Sequence, residues 1–255
     1  MHSTCYDRAE GADSPQGQKD TALIEALLFD TFGTVVDWRT SLIRRFERFA
    51  SENGLTADWA ALVDDWRAEY QPGMDAVRSG KHPWTSLEQL HRESLDKLLP
   101  RYGLGRLGED QRRQLVLGWH FLDPWPDAVA GLQRLKQKYI IGTLSNGGVR
   151  LLADMARFAG LPWDVIFSSD LFRHYKPDPS VYLGAAELLD TQPDRIMLVA
   201  AHNYDLAAAR KHDMKTAFVA RPTEYGARQS KDFKAEADWE IIVRDFLELA
   251  DKLRA

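Results

Sequence analysis

Four groups of polar residues that could perform chemistry occur in order along the chain, and each follows an apolar run. The first begins with Asp30, directly after the run 26–29. The others lie at 143–148, 175–178 and 200–205, and they contain Ser145, Asn146, Lys176, His202 and Asp205. A carboxylate, a hydroxyl with an amide, a lysine and a second carboxylate are together the composition of a site for nucleophilic displacement.

The elements that carry these groups read as strands alternating with helices. An apolar run of this length suits a strand buried on both faces, and Gly33 permits a tight turn after Asp30. Further strands are predicted at 139–143, 165–168, 195–199, 216–219 and 239–243, with helices at 126–138, 148–159, 178–189 and 205–212. This alternation predicts an α/β fold with a parallel sheet, whose strand ends bring the four groups to one edge.

A stretch with few strand signals, from about 38 to 120, separates the first strand from the rest. Helical patterns are predicted at 42–53, 56–70, 86–99 and 109–117, with breaks at Gln71-Pro72-Gly73 and at 79–83. We expect an all-helical cap domain over 38–122, inserted into a core domain of 22–37 and 123–255. Residues 1–21 are predicted to be a flexible tail.

Composition narrows the classes of function. The chain has 255 residues, of which 44% are hydrophobic and 28% charged, with a formal net charge of -5. An acidic balance without long basic runs argues against nucleic-acid binding, and no apolar stretch approaches the roughly 18 residues that span a membrane. The single cysteine, Cys5, excludes an intrachain disulfide. A cytoplasmic location is the default expectation.

Each polar group also has an ordinary structural interpretation. Ser-Asn-Gly-Gly at 145–148 is typical of a helix cap and turn, and Lys-Pro-Asp-Pro at 176–179 is typical of a helix start. His202 alone could be a hydrogen-bonded structural histidine. The functional interpretation depends on all four groups occurring in order at successive strand ends.

With these residues in order, the chain resembles the haloacid dehalogenase superfamily from about 23 to 249. The resemblance implies a Rossmann-like core with a nucleophilic aspartate after the first strand. Asp30, Ser145, Lys176 and Asp205 match the four motif positions of that superfamily.

Phe32 separates two branches of the superfamily. Most members are magnesium-dependent phosphatases with a second aspartate at this position, and phenylalanine cannot act as an acid. The motif resembles that of the (S)-2-haloacid dehalogenases, as do Trp66-Arg67, Leu144–Gly147 and Tyr175–Asp178 with Tyr182. The resemblance implies hydrolysis of short 2-haloalkanoic acids to 2-hydroxy acids through an aspartyl ester on Asp30.

The resemblance also implies roles for individual residues. Arg67 and Asn146 would receive the halide, with Phe32 beside them, and Ser145 would hold the substrate carboxylate. Lys176 would keep Asp30 ionised, since a nearby cation lowers a carboxyl pKa. Thr34 would hydrogen-bond Asp30, Tyr182 would steady Lys176, and Asp205 would activate water. The alternative for Arg67 is a surface cation packed on Trp66.

The segment before Asp205 departs from the dehalogenase pattern. Ala200 and His202 stand where the dehalogenases carry a serine and a water-positioning asparagine. An imidazole can accept a proton near neutral pH, so His202 could share the role of base. The alternative is that it donates one hydrogen bond in place of the amide. Altered packing here could also favour small haloacids, fluoroacetate included.

The expected partner is a small haloacid, with neither nucleic acid nor membrane. No cofactor and no metal are expected, because Lys176 and Arg67 suffice for a monoanionic substrate. Dimers are common among the dehalogenases, so a homodimer over the aromatic-rich region 59–84 is one option, and burial of those aromatics within the cap is the other. A phosphatase with a relocated acid and a catalytically silent binding protein are the competing functions.

Overall fold

The computed structural model describes residues 24–255, so the predicted tail and Cys5 lie outside the described residues. The strands are β1 Ala26–Phe29, β2 Val36–Asp37, β3 Asp123–Pro124, β4 Ile140–Ser145, β5 Val165–Ser168, β6 Ile196–Ala200, β7 Lys215–Val219 and β8 Ile241–Val243. Six of them form a parallel sheet in the order β5-β4-β1-β6-β7-β8. The predicted α/β class with a parallel sheet is confirmed.

Helices cover both faces of this sheet. The helices are α1 Trp38–Asn53, α2 Trp59–Ala68, α3 Tyr70–Arg78, α4 Leu87–Leu98, α5 Glu109–Leu117, α6 Ala128–Leu135, α7 Val149–Ala159, α8 Ser169–Phe172, α9 Pro179–Leu188, α10 Asn203–Arg210 and α11 Phe246–Leu253. Leu27 and Phe29 of β1 join a core with α6, α7 and α11, whereas Leu28 joins a second core with α9 and α10. Because successive strand residues face opposite sides, a strand buried on both faces is apolar throughout.

Helices α1 to α5 form the inserted segment, which is all-helical as predicted. The chain enters and leaves this segment at adjacent points, because β2 and β3 pair antiparallel with Asp37 opposite Asp123. Asp37 also caps α1, since its side chain accepts a hydrogen bond from the Thr40 N–H. The tryptophans Trp59 and Trp66 are buried in a core that continues into the sheet domain. Burial in this core therefore accounts for these two tryptophans.

The predicted break at Gln71-Pro72-Gly73 is wrong. The helix is interrupted two residues earlier, at Glu69, and α3 runs through these residues to Arg78. Pro72 lies in the first turn of α3, where the backbone N–H has no partner within the helix. A proline there costs no intrahelical hydrogen bond. No helix of residues 24–255 combines the length and the apolar character needed to cross a membrane.

Candidate active site

Asp30 follows β1 at the centre of the sheet, where the carboxyl ends of β4, β1 and β6 meet. Asp30 is 6% exposed, and its Oδ2 accepts a hydrogen bond of 2.8 Å from the Thr34 hydroxyl. The Thr34 oxygen in turn accepts from the Ala201 N–H at 2.9 Å. The tight turn that brings Thr34 against Asp30 requires a backbone φ of +86° at Gly33, which glycine adopts readily. The turn thus fixes one oxygen of the predicted nucleophile.

Lys176 links the first and fourth groups. Its Nζ lies 2.9 Å from Oδ1 of Asp30 and also contacts Oδ2 of Asp205. Its backbone N–H donates to the side-chain oxygen of Asn146 at 2.8 Å, and its carbonyl accepts from Arg78 of α3 at 2.7 Å. The ammonium is 1% exposed, so its charge is balanced by two buried carboxylates. The helix start predicted at this motif is also present, with Asp178 capping α9.

Burial, Lys176 and His202 together determine whether Asp30 is ionised. Burial on its own would raise the pKa of Asp30, but Lys176 and His202 hold that pKa well below its ordinary value. Burial would likewise lower the pKa of Lys176, whereas Asp205 and Asp30 raise it. Asp30 is therefore an anion at neutral pH, as a carboxylate nucleophile must be.

Tyr182 contacts Asp205 and not the ammonium that it was expected to steady. Its hydroxyl donates to Oδ1 of Asp205 at 2.7 Å, so any effect on Lys176 passes through that carboxylate. Asp205 is fully buried, and burial and the nearby Asp30 raise its pKa against the effect of Lys176. Both oxygens of Asp205 are engaged, one by the tyrosine and one by the lysine.

His202 directly contacts the predicted nucleophile, Asp30. Its Nδ1 lies 3.0 Å from Oδ2 of Asp30, and its Nε2 lies 3.0 Å from Oε2 of Glu224. The residue precedes α10 and is 3% exposed. Within residues 24–255, the side chain of Asp30 has three hydrogen-bond partners, the side chains of Thr34, Lys176 and His202.

Glu224 is a residue of this site that the sequence did not reveal. It lies in the loop after β7, 1% exposed, and its Oε1 accepts from the indole N–H of Trp38 at 3.0 Å. The loop matches none of the four polar groups, and it follows β7 rather than one of the three central strands. A glutamate beside an apolar strand end would have been the single signal available.

Ser145 and Asn146 lie at the end of β4, next to β1 in the sheet. The Ser145 oxygen accepts from the Gly147 N–H at 3.2 Å, which is the turn geometry expected of the structural interpretation. The carbonyl oxygen of the Asn146 side chain is used by Lys176, which leaves the NH₂ group of the amide to donate.

Phe32 is buried beneath the inserted helices. Its ring meets that of Trp119 edge to face, with centroids 5.8 Å apart, and a Cβ added at Gly147 would lie 3.1 Å from the Phe32 ring. The side chain thus joins the sheet domain to the inserted segment through packing.

A cavity of about 860 Å³ lies between the inserted helices and the sheet edge. Its lining includes His202, Tyr204 and Pro177 from the sheet domain and Arg67, Tyr70 and Arg78 from the inserted segment. The Arg67 guanidinium carbon lies 4.1 Å from the ring centre of Tyr70 and 5.4 Å from that of Trp38. Arg67 therefore packs on these two rings, and its buried Nε has no hydrogen-bond partner in the described part of the chain.

Within residues 24–255, no three His, Cys, Asp or Glu side chains are grouped so that they could hold a metal ion. The anionic groups at the sheet edge instead face cations of the chain itself. Asp30 and Asp205 share Lys176, and Glu224 faces His202.

The family model and the curated relatives that match this chain point to the same family. A model of the haloacid dehalogenase-like hydrolase family matches residues 24–213. The chain is 31% identical over 209 residues to (S)-2-haloacid dehalogenase 4A of Burkholderia cepacia, covering 79% of this chain and 87% of that protein.

Two solved structures are similar over nearly the whole described chain. The L-2-haloacid dehalogenase PA0810 is 52% identical with a TM-score of 0.89, covering 91% of this chain and 99% of the other. The defluorinating L-2-haloacid dehalogenase Rha0230 is 47% identical with a TM-score of 0.89, covering 91% of this chain and 96% of the other.

Proposed function

The chain belongs to the haloacid dehalogenase-like hydrolase family, and on that premise we propose that it hydrolyses short 2-haloalkanoic acids to 2-hydroxy acids. The observation that carries the proposal is the buried contact of 2.9 Å between Lys176 and Asp30, which keeps the aspartate ionised. The similarity to the haloacid dehalogenases named above, at 31% to 52% identity, supports this substrate class.

In the first step, Asp30 displaces the halide. We assign the attack to Oδ1, because Oδ2 already accepts from both Thr34 and His202, whereas Oδ1 accepts, within residues 24–255, from Lys176 alone. A lone pair of Oδ1 forms the new C–O bond while the C–X bond breaks on the opposite side, and its electron pair leaves with the halide. The carbon is inverted and an ester of Asp30 results.

The departing halide is already a stable anion, so this step needs donors and no acid. Arg67 and the Asn146 NH₂ group are the proposed donors, and Phe32 is the proposed apolar neighbour. The unpartnered Nε of Arg67, on a side chain that lines the cavity, supports its role. Ser145 and backbone N–H groups of its turn are proposed to hold the substrate carboxylate.

In the second step, water attacks the ester carbonyl of Asp30. Asp205 is the proposed acceptor for the proton that water loses, since its raised pKa suits a base. Lys176 contacts Oδ1 and is proposed to stabilise that oxygen as the product leaves. Tyr182 would position Asp205 through their hydrogen bond. The product carries Oδ1, and the oxygen of water remains in Asp30.

We propose that residues 38–122 act as a cap over a core of 22–37 and 123–255. The lining of the cavity by side chains from both parts supports this division. Fluoroacetate is a proposed substrate, supported by the 47% identity to a structure named as a defluorinating enzyme. Metal independence, a cytoplasmic location and a homodimer are further proposals.

The decisive experiment measures halide release from chloroacetate, (S)-2-chloropropionate and fluoroacetate by the wild-type protein and by Asp30→Asn. We expect release by the wild-type protein and a loss of at least about 10³-fold in the variant, because an amide cannot replace the carboxylate nucleophile. Cleavage of p-nitrophenyl phosphate without halide release would establish the phosphatase instead. Binding of haloacids without turnover of either substrate would favour a silent binding protein.

A further inference from the structure

Glu224 and His202 form a buried pair directly behind the nucleophile. Nδ1 of His202 lies 3.0 Å from Oδ2 of Asp30, and its Nε2 lies 3.2 Å and 3.0 Å from the two oxygens of Glu224. Each nitrogen of the ring therefore faces a carboxylate. An ionised carboxylate can accept hydrogen bonds but has none to donate, so both contacts require an N–H on the ring.

This arrangement makes His202 a donor rather than a base. Burial on its own would lower the pKa of His202, but Glu224 and Asp30 raise it to about 10. The ring thus holds two protons at neutral pH, and no nitrogen is free to take one from water. Of the two roles that the sequence left open for His202, the geometry favours the hydrogen-bond donor.

The position of Glu224 is fixed from three sides. Its Oε1 accepts from Trp38 at 3.0 Å, its carboxylate faces His202, and its oxygens pack against Gly33. A Cβ added at Gly33 would lie 2.1 Å from Oε1 of Glu224, so only glycine leaves room for the carboxylate. A buried anion held this firmly can orient the ring that it faces.

We propose that Glu224 is a positioning residue that holds His202 as an imidazolium aimed at Oδ2 of Asp30, where the pair stabilises the oxyanion formed during ester hydrolysis. The proposal rests on the proposed function, and it adds to that function a hydrogen-bond donor and the residue that orients it. Thr34 donates to the same oxygen, so the oxyanion has two donors.

The hydrolytic step proceeds through an oxyanion on Oδ2 of Asp30. The oxygen of water bonds to Cγ of the Asp30 ester, and the electron pair of the C=O π bond moves to Oδ2. Thr34 and His202 donate to this oxyanion without losing their protons. The C=O bond then reforms as the Cγ–Oδ1 bond breaks, and the 2-hydroxy acid leaves with Oδ1. One proton of water goes to this oxygen, and the other leaves by way of Asp205.

Glu224 and His202 stabilise the transition state of ester formation much less, because negative charge then leaves Asp30 and does not build up on Oδ2. Loss of Glu224 should therefore slow hydrolysis of the ester more than its formation. A residue that merely supports the fold would reduce both steps together. The ratio between the two rates is the property that tells these roles apart.

The test uses Glu224→Gln, with Glu240→Gln as the matched control. Glu240 is a partly buried glutamate that accepts from Thr216, away from the sheet edge that carries Asp30. Halide release from chloroacetate is followed through the first turnover and at steady state, and intact-protein mass spectrometry detects the ester. For Glu224→Gln we expect a first-turnover burst, accumulation of the ester and a steady-state rate lowered about 10²-fold. The control should match the wild-type protein.

Equal losses in burst and steady state, or no loss in either, would overturn the proposal. His202→Phe gives a second test if Glu224→Gln does not fold, because phenylalanine has no hydrogen-bond donor for Oδ2 of Asp30, and the same accumulation of ester is expected. Absence of halide release from the wild-type protein would instead refute the proposed function. The two failures are therefore distinguishable.

Discussion

Nζ of Lys176 lies 2.9 Å from Oδ1 of Asp30, although the two residues are 146 positions apart in the chain. The same ammonium contacts Asp205, so one buried cation serves two buried carboxylates. The proposed nucleophile, its counterion and the proposed base are thereby joined in one network. Removing any member leaves a buried charge without its partner.

Lys176→Met should therefore lower both activity and stability. We expect halide release to fall at least about 10³-fold and the free energy of unfolding to fall by about 3–5 kcal/mol, because Asp30 and Asp205 lose their shared cation. Urea unfolding followed by circular dichroism measures the stability. Lys252→Met is the control, since that lysine is half-exposed, and a change within about 0.5 kcal/mol is expected there. Equal effects of the two substitutions would contradict this view.

Gly33→Ala should impair the site as well as the fold. An alanine at φ +86° is strained, and its Cβ would lie 2.1 Å from Oε1 of Glu224. Gly54→Ala is a matched control, because Gly54 has φ +63° with nothing within 4 Å of the added Cβ. Both variants should lose about 1–3 kcal/mol of stability. Ester accumulation with chloroacetate is expected for Gly33→Ala alone, and its absence would argue against a role of Glu224 in hydrolysis.

Phe32→Asp, which would restore the second aspartate of the phosphatases, should destabilise the folded protein. The Phe32 ring is buried at 3% exposure and lies 5.8 Å from the Trp119 ring, so a carboxyl there lacks a polar environment. A loss of about 3–5 kcal/mol in the free energy of unfolding is expected, against less than about 1.5 kcal/mol for Phe32→Leu. Thermal and urea unfolding of the two variants would test this, and equal stabilities would refute it.

The stability of the protein should depend on pH through His202. Its folded-state pKa is raised to about 10 by Glu224 and Asp30, against the effect of burial, whereas an unfolded histidine has a pKa of about 6.5. The stabilisation is complete below the unfolded pKa and is lost as pH rises towards the folded pKa. Relative to His202→Asn, the free energy of unfolding should fall by up to about 1.4 kcal/mol per pH unit in this window.

Comparison with that variant removes the contributions of groups that do not contact His202. Asp30 and Glu224 lose their contact with His202 in the variant, so the difference reports the whole cluster of His202 with these two carboxylates. Urea unfolding at several pH values between neutral and about pH 10 provides the measurement. Parallel pH dependences of the two proteins would show that His202 is not held as a cation.

Removal of metal ions should leave halide release unchanged. The cations proposed for the reaction, Lys176 and Arg67, belong to the chain, and Lys176 already contacts both Asp30 and Asp205. Activity on chloroacetate is to be measured with and without EDTA, beside a magnesium-dependent phosphatase that confirms chelation. Loss of activity in EDTA and its return with Mg²⁺ would favour the phosphatase alternative.

The sequence by itself determined the strands and the chemical groups at their ends. Apolar runs followed by the polar groups that contain Asp30, Ser145, Lys176 and Asp205 indicate buried parallel strands, because a strand covered on both faces is apolar throughout. Lys176 is set back from its strand, since α8 lies between β5 and this residue. Parallel strands end at one edge, so these residues were predicted to meet. The helical insertion was equally visible, since its periodicity differs from that of the strands.

The tertiary structure alone decided which of these groups touch. Glu224 lies behind His202, Tyr182 bonds to Asp205 rather than to Lys176, and Arg67 packs on Tyr70 and Trp38. Local patterns specify the conformation of a segment, whereas these contacts depend on the order of strands in the sheet and on how helices pack over it. Whether His202 donates or accepts a proton follows from two carboxylates that lie 172 and 22 positions from it in the chain, and only the folded protein brings them together.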